Sequence, residues 1–325
     1  MKRLVRIMVI PGVWGLLVIG LIVAAGSCGN TEKSGTEPGI SSPPRQADEL
    51  ILCGWDEVFI LEMNPAQEGS PRKVWSWKAG ERQDLPDSMK SRFKTTDECK
   101  PVDGGTKVLI TSSSDGVALV ERSTGRVLFY GVAHNAHSAE LLPAGRLAVA
   151  ASHRPDGNGD RLIIFDLNVP GKELLSSELP HGHGVVWDEE RQVIWALSGK
   201  DIRVYRLKDW DTQHPLLERV ATIELPESGG HDLCPVPGTD WLAVSTGSHC
   251  WLFDRNNRNF KPHPDLADKV RVKSISYNRS TGQLAWVEAE GENWWAERVH
   301  FLHPERILYL PGEHLYKARW NTEAR

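Results

Sequence analysis

Six positions of the 325-residue chain carry side chains suited to holding an anion or a metal: Lys100, His137, His183, His231, Lys273 and Lys317. Successive members lie 37, 46, 48, 42 and 44 residues apart, and each reads as the start of a short strand. Three consecutive members are histidine, the other three are lysine, and the reading places no carboxylate among them. Two chemistries fit. Neutral imidazoles at His137, His183 and His231 would ligate a divalent transition metal and leave a position open for water or substrate. His181 is a further candidate ligand, while Asp232 and Glu140 are candidates to ligate or to orient an imidazole. Without a metal, the six residues would together grip a carboxylate, sulfate or phosphate. Capping of strands is the competing, purely structural role.

The elements that must position these residues are short strands in a repeat. Second strands read Lys107-Val-Leu-Ile-Thr, Arg146-Leu-Ala-Val-Ala, Gln192-Val-Ile-Trp-Ala, Asp240-Trp-Leu-Ala-Val and Gln283-Leu-Ala-Trp-Val. Third strands read Val117-Ala-Leu-Val-Glu, Leu162-Ile-Ile-Phe-Asp, Ile202-Arg-Val-Tyr-Arg, Cys250-Trp-Leu-Phe-Asp and Val299-His-Phe-Leu-His. Turns of the hairpin kind separate them. Four antiparallel strands every 40 to 45 residues or so is the period of a propeller blade. Tyr316-Lys-Ala-Arg-Trp320 has the form of a first strand with nothing after it. Leu50-Ile-Leu-Cys, Val58-Phe-Ile-Leu and Arg72-Lys-Val-Trp-Ser-Trp77 look like second, third and fourth strands lacking a first. Joining them completes a blade and pairs two open edges. The sequence therefore predicts an all-β, six-bladed β-propeller over residues 49–321, followed by a tail at 322–325.

On these repeats the chain resembles the six-bladed propellers of the broad WD-repeat-like group, including bacterial lipoprotein propellers of unassigned activity. The regular Gly-His and Trp-Asp pairs of true WD repeats are missing, with Trp55-Asp56 an isolated match. The histidine set is similar to that of oligogalacturonate-lyase-like propellers, which hold a divalent metal in the channel; those have seven blades and a glutamine ligand that finds no counterpart here. In a propeller the first strands line the central channel, so the six residues are expected to form one ring at one mouth. Loops over that mouth would be 152–160, 247–249 and 288–297, together with the connector 80–96, a lid candidate. Trp294-Trp295 offers faces for a sugar ring or for packing between blades. Asp156-Gly-Asn158-Gly-Asp160 has alternate oxygen-bearing residues like the start of a calcium loop, but lacks the later Gly and Glu.

The amino terminus reads as an export signal. Lys2, Arg3 and Arg6 precede an uncharged run from Ile7 to Ala25. Ala25-Gly26-Ser27-Cys28 resembles a bacterial lipobox, with Ala25 where leucine is usual, and implies Cys28 as the lipid attachment site. A membrane-spanning anchor or plain secretion are the alternatives. Residues 1–27 are thus expected to be a signal peptide and 28–48 a flexible linker rich in Gly, Ser, Thr and Pro. Cys53, Cys99, Cys234 and Cys250 lack Cys-x-x-Cys spacing, and their apolar settings favour buried thiols.

The net charge is −5, from 38 basic and 43 acidic residues, and loss of the signal takes it to −8. That excludes a general nucleic-acid binder. No Gly-x-Gly-x-x-Gly, Walker or Gly-x-Ser-x-Gly motif occurs. Three functions follow. The first is an exported, lipid-anchored protein capturing an anionic small molecule or acidic glycan. The second is a lyase-type enzyme on uronate-containing glycans, metal-dependent if the histidines hold an ion. The third is a scaffold for a protein partner.

Overall fold

A computed structural model describes residues 48–63, 71–212 and 214–321. The expected signal, its lipobox and Cys28 lie outside these residues, as does the tail. Among these described residues, alternating apolar residues with Gly- and Asx-rich turns form 24 strands in six four-stranded antiparallel sheets. Strand β1 (Asp48–Gly54), β2 (Glu57–Met63) and β3 (Arg72–Lys78) come first. Four complete blades begin with β4 (Thr96–Val102), β8 (Ala136–Leu142), β12 (Gly184–Asp188) and β16 (Asp232–Pro235). A fifth begins with β20 (Val272–Tyr277), and β24 (Lys317–Trp320) is the last strand. β24 pairs with β1, from Leu50 opposite Trp320 to Cys53 opposite Lys317, giving the sheet order β24-β1-β2-β3. The fold is the six-bladed propeller the repeats predict, closed by its two ends.

The core lies between blades rather than at the centre. Ile51, Val58, Ile60 and Trp77 of the closing blade pack on Phe93, Cys99, Val108 and Ile110 of the next. Equivalent apolar clusters recur around the ring. The connector 80–96 belongs to this packing. Leu85, Met89 and Phe93 are buried, with the Phe93 ring 5.3 Å from that of Trp77. Gly116 makes room for it, since a Cβ there would sit 2.5 Å from the Arg92 carbonyl oxygen. With the single helical turn Asp87–Lys90 and two short 3-10 turns, the segment is anchored in the core between blades instead of forming the expected lid. Cys53, Cys99, Cys234 and Cys250 are free thiols.

The channel is crossed by four buried charges. Lys317 is fully buried, with Nζ 3.3 Å from Glu98 Oε2 and 3.1 Å from Asp232 Oδ1, and it donates to the His137 carbonyl oxygen at 3.2 Å. Arg319 donates to Glu98 Oε1 at 2.9 Å and Oε2 at 3.1 Å, and to Asp232 Oδ1 at 2.6 Å and Oδ2 at 2.8 Å. Ser138 Oγ donates to Glu98 and the Ile275 amide to Asp232. Two cations thus face two anions with most of their hydrogen-bonding capacity filled, the condition under which buried charge is tolerated. Both carboxylates are held below their ordinary range by Arg319 and Lys317 against the opposing effect of burial. One terminal strand is thereby tied to β4, β8, β16 and β20.

Replacing Arg319 with methionine leaves Glu98 and Asp232 short of a partner and should cost roughly 3–5 kcal/mol, the usual penalty for breaking a buried ion pair. Urea unfolding at pH 7 checks this, and a loss below about 1 kcal/mol would deny the network its role in closure.

Candidate functional site

The mouth at which the first strands begin is built from irregularities of the ladder. In β4, β8 and β20 the pairing skips one residue, at Asp97, His137 and Lys273 respectively. A bulge leaves its extra residue unpaired and re-aims it. In the other three blades the equivalent residue precedes the strand and still donates its amide to the neighbouring strand. His183 reaches the Leu197 carbonyl oxygen at 3.0 Å, His231 that of Ser245 at 2.9 Å, and Tyr316 that of Cys53 at 2.8 Å. By register, the mouth ring is Asp97, His137, His183, His231, Lys273 and Tyr316.

Four of the six expected ring residues stand in that register. Lys317 lies one residue deeper, in the ion network, and Lys100 three residues deeper, where its Nζ contacts Glu140 Oε2 at 3.2 Å and the Val185 carbonyl oxygen at 2.9 Å. The carboxylate-free ring is corrected too, because Asp97 occupies it. The bulge at Asp97 adds a residue that simple alternation cannot count. Glu140 serves Lys100, and Asp232 serves Arg319 and Lys317, so neither orients an imidazole. Tyr316 was missed because it is not a cation; its place just before β24 was the available signal.

The rings pack in series. Centroids of His137 and His183 are 4.3 Å apart and stacked, those of His183 and His231 are 4.9 Å apart, and Tyr316 is 5.7 Å from His137. His183 Nδ1 donates to the His181 carbonyl oxygen at 2.9 Å, and His231 Nδ1 to that of Gly229 at 2.6 Å. These bonds set the tautomer and leave each Nε2 as an acceptor. Burial holds all three imidazoles neutral at pH 7, His231 down to about 4 and the other two well below their usual value, with Lys273 and Lys317 among the charges reinforcing this. Among the described residues, the ligand atoms of His137, His183 and His231 do not all come within 4.8 Å of one another.

Lys273 is 8% exposed and makes no hydrogen bond or ion pair among the described residues; its Nζ stands 5.9 Å from the Tyr316 ring centroid. Burial and the neighbouring Arg271 bring its ammonium down to about 8. Asp97 is 1% exposed, accepts the Ser113 amide, and lies 3.5 Å from His137 Nδ1. Burial pushes its carboxyl up to about 7. Two groups poised to change charge near neutrality therefore share one mouth, a pattern concentrated at functional sites.

On the rim, Trp55 and Trp294 are each more than one-third exposed, and their rings lie 5.1 Å apart. Trp294 meets Tyr316 edge-on at 5.8 Å, so the exposed aromatic surface continues into the ring, whereas Trp295 packs on His314 at 4.0 Å. The 156–160 turn is no calcium loop, since Asp156 accepts the Asn158 amide and pairs with Arg154 while Asp160 turns toward His153 and His181. At the opposite mouth the ends of the first strands enclose a cavity of about 610 Å³, lined by Lys100, Glu140, Cys234, Tyr277 and Arg319 among others. Nothing in the sequence announces it, because its lining mixes charged and apolar residues without a motif.

Fold and mouth define a six-bladed β-propeller with a histidine- and lysine-bearing channel entrance. Within that class the chain belongs to the family of unknown function DUF6528, which matches residues 9–324. No curated protein matches it. Solved structures match in number, 1194 chains, so the likeness identifies architecture and leaves activity to the site. One, described as the crystal structure of the nidogen/laminin complex, aligns with a TM-score of 0.54 at 11% identity, covering 84% of this chain and 98% of that one.

Asp97 yields a stability test with a definite sign. Its carboxyl, raised from 3.8 to about 7, is favoured uncharged in the fold, so it opposes folding at high pH and does so less as pH falls from about 7 toward 4. Asp97→Asn keeps an acceptor for the Ser113 amide and should raise the melting temperature at pH 8, with the gain shrinking by pH 5. Equal destabilisation at both pH values would show that the carboxylate is structural.

Proposed function

We propose that the protein is an exported propeller, anchored through a lipid on Cys28, whose histidine and lysine mouth binds an anionic ligand, most aptly an acidic glycan. The observation that carries this is Lys273, a lysine more than nine-tenths buried with no anionic partner among the described residues. Lys100 and Lys317 are engaged by internal carboxylates, so the anion-binding role contracts from a basic ring to one ammonium. An anion on Lys273 would receive a charge-assisted hydrogen bond in a setting with little competing water. Nε2 of His183 and His231 would accept from hydroxyl groups, and the exposed face of Trp294 would stack on a ring. An anionic group beside hydroxyls on a ring describes a uronic or otherwise acidic sugar. The signal-like run and lipobox support export, and the acidic mature chain leaves nucleic acid aside.

A second reading, a lyase-type enzyme on uronates, is favoured by Asp97 and Lys273 titrating near neutrality, where one can accept and the other donate a proton. A metal at His137, His183 and His231 would need those nitrogens to converge further. A protein partner is a further alternative, and the similar solved fold comes from a complex between proteins.

Lys273→Met should reduce binding to a polyuronate at least about tenfold, the loss of one charge-assisted hydrogen bond. Affinity of the wild type should be highest below pH 7 and fall about tenfold per unit above the lysine's pKa of about 8. Charges facing Lys273 are Asp97, Arg271 and Lys317. Of these Asp97 titrates in the same range, and its ionisation above about 7 weakens anion binding further. Isothermal titration across pH 6–9 reads both; affinity indifferent to Lys273→Met or rising with pH refutes the proposal. Cys28→Ala should abolish acylation, and an unchanged lipid mass on the mature amino terminus would refute the anchor.

A further inference from the structure

We infer that His153, Asp160 and His181 form a divalent transition-metal site on the rim, separate from the histidine ring. Their ligand atoms all lie within 4.8 Å of one another, which among the described residues distinguishes this group from the ring trio. His153 and Asp160 stand at the two ends of the loop after the second strand of the blade begun by β8, and His181 lies in the connection to β12. The imidazoles of His153 and His181 stack with centroids 5.0 Å apart and 27° between planes. His153 Nδ1 is 2.8 Å from Asp160 Oδ2, while Asp160 Oδ1 accepts the His181 amide at 2.6 Å. The second contact fixes the carboxylate that the first would present to an ion.

Both composition and spacing suit zinc-like ions. Two imidazoles and one carboxylate are borderline ligands preferred by Zn²⁺, Ni²⁺ or Cu²⁺ over Mg²⁺. Ligand bonds of about 2.0–2.2 Å place the atoms of one ion some 3–3.5 Å apart, so the existing pair needs little opening and the full group a small contraction. The ion would take the place of the proton between His153 Nδ1 and Asp160 Oδ2, and the neutral His153 ring would carry its one proton on Nε2 instead. His153 and His181 are exposed, so entry is open and a four-coordinate ion keeps one position for water or an anionic ligand. The nearby cation Arg154 is occupied by Asp115 and Asp156. The His181 carbonyl oxygen holds His183 Nδ1, so the rim site adjoins the ring through one residue's backbone.

Zn²⁺ titration of the metal-stripped full chain tests this, alongside His153→Ala, His181→Ala and, as a ring control, His231→Ala. One equivalent should bind the wild type and His231→Ala equally, and each rim variant should lose at least about tenfold in affinity. Added Zn²⁺ should raise the melting temperature of the wild type and leave that of His153→Ala unmoved. His153 is an exposed loop residue, so its apo melting temperature should match the wild type, which keeps the comparison interpretable. Binding that survives when His153→Ala and His181→Ala are combined, binding lost in His231→Ala instead, or no uptake at 100-fold molar excess of Zn²⁺ would overturn the site.

Discussion

The four-charge cluster of Lys317, Arg319, Glu98 and Asp232 is the constraint around which the channel is arranged. A propeller closes only if its last strand finds its place, and the apolar pairing of β24 with β1 supplies register without fixing anything across the axis. The charges do the latter, linking β24 to β4 and to β16 on another blade. Their mutual compensation also consumes one cation, Lys317, that the repeat alone would assign to a ligand. What survives at the mouth is Lys273, which has no ion-pair partner among the described residues: Glu98 and Asp232, one residue deeper, are engaged by Lys317 and Arg319, and burial raises the carboxyl of Asp97 to about 7.

This arrangement separates a structural layer from a chemical one along one set of strands. Below lies a balanced, buried network whose shifted titrations stabilise the fold; above lies a mouth of neutral imidazoles, a depressed lysine and a raised carboxyl that the fold bears at some cost. Groups shifted against their ordinary charge state are the ones stability alone would remove. The bulges at Asp97, His137 and Lys273 serve the same division, since regular pairing would leave those side chains in the ladder's alternation instead of at the entrance.

Legibility from sequence follows the same boundary. The strands, their number and the closure were readable because apolar alternation and a 40-odd-residue period are direct consequences of blades that bury both faces. His137, His183, His231 and Lys273 were readable as channel residues because they sit where the alternation starts. Lys100 was misplaced because the bulge at Asp97 hides the residue that belongs in the ring, and Lys317 because the ring residue before it, Tyr316, is not a cation; a lysine's destination also depends on carboxylates far along the chain, Glu140 and Glu98, that no local pattern announces. Asp97 and the grouping of His153 with His181 escaped for the same reason: they depend on loops meeting in space. The connector 80–96 looked solvated by composition and was fixed by three residues, Leu85, Met89 and Phe93.

Central to the proposed function is Lys273 as an ammonium with no ion-pair partner among the described residues, and the titration of its own Nζ tests that role most directly. Following the lysine side-chain resonance by NMR, with Lys273→Met for assignment, should give a pKa near 8 in the free protein and a rise of at least about one unit when polyuronate is added, as expected for an ammonium gaining an opposite charge. A pKa near the ordinary 10.5 that polyuronate leaves unchanged would contradict it.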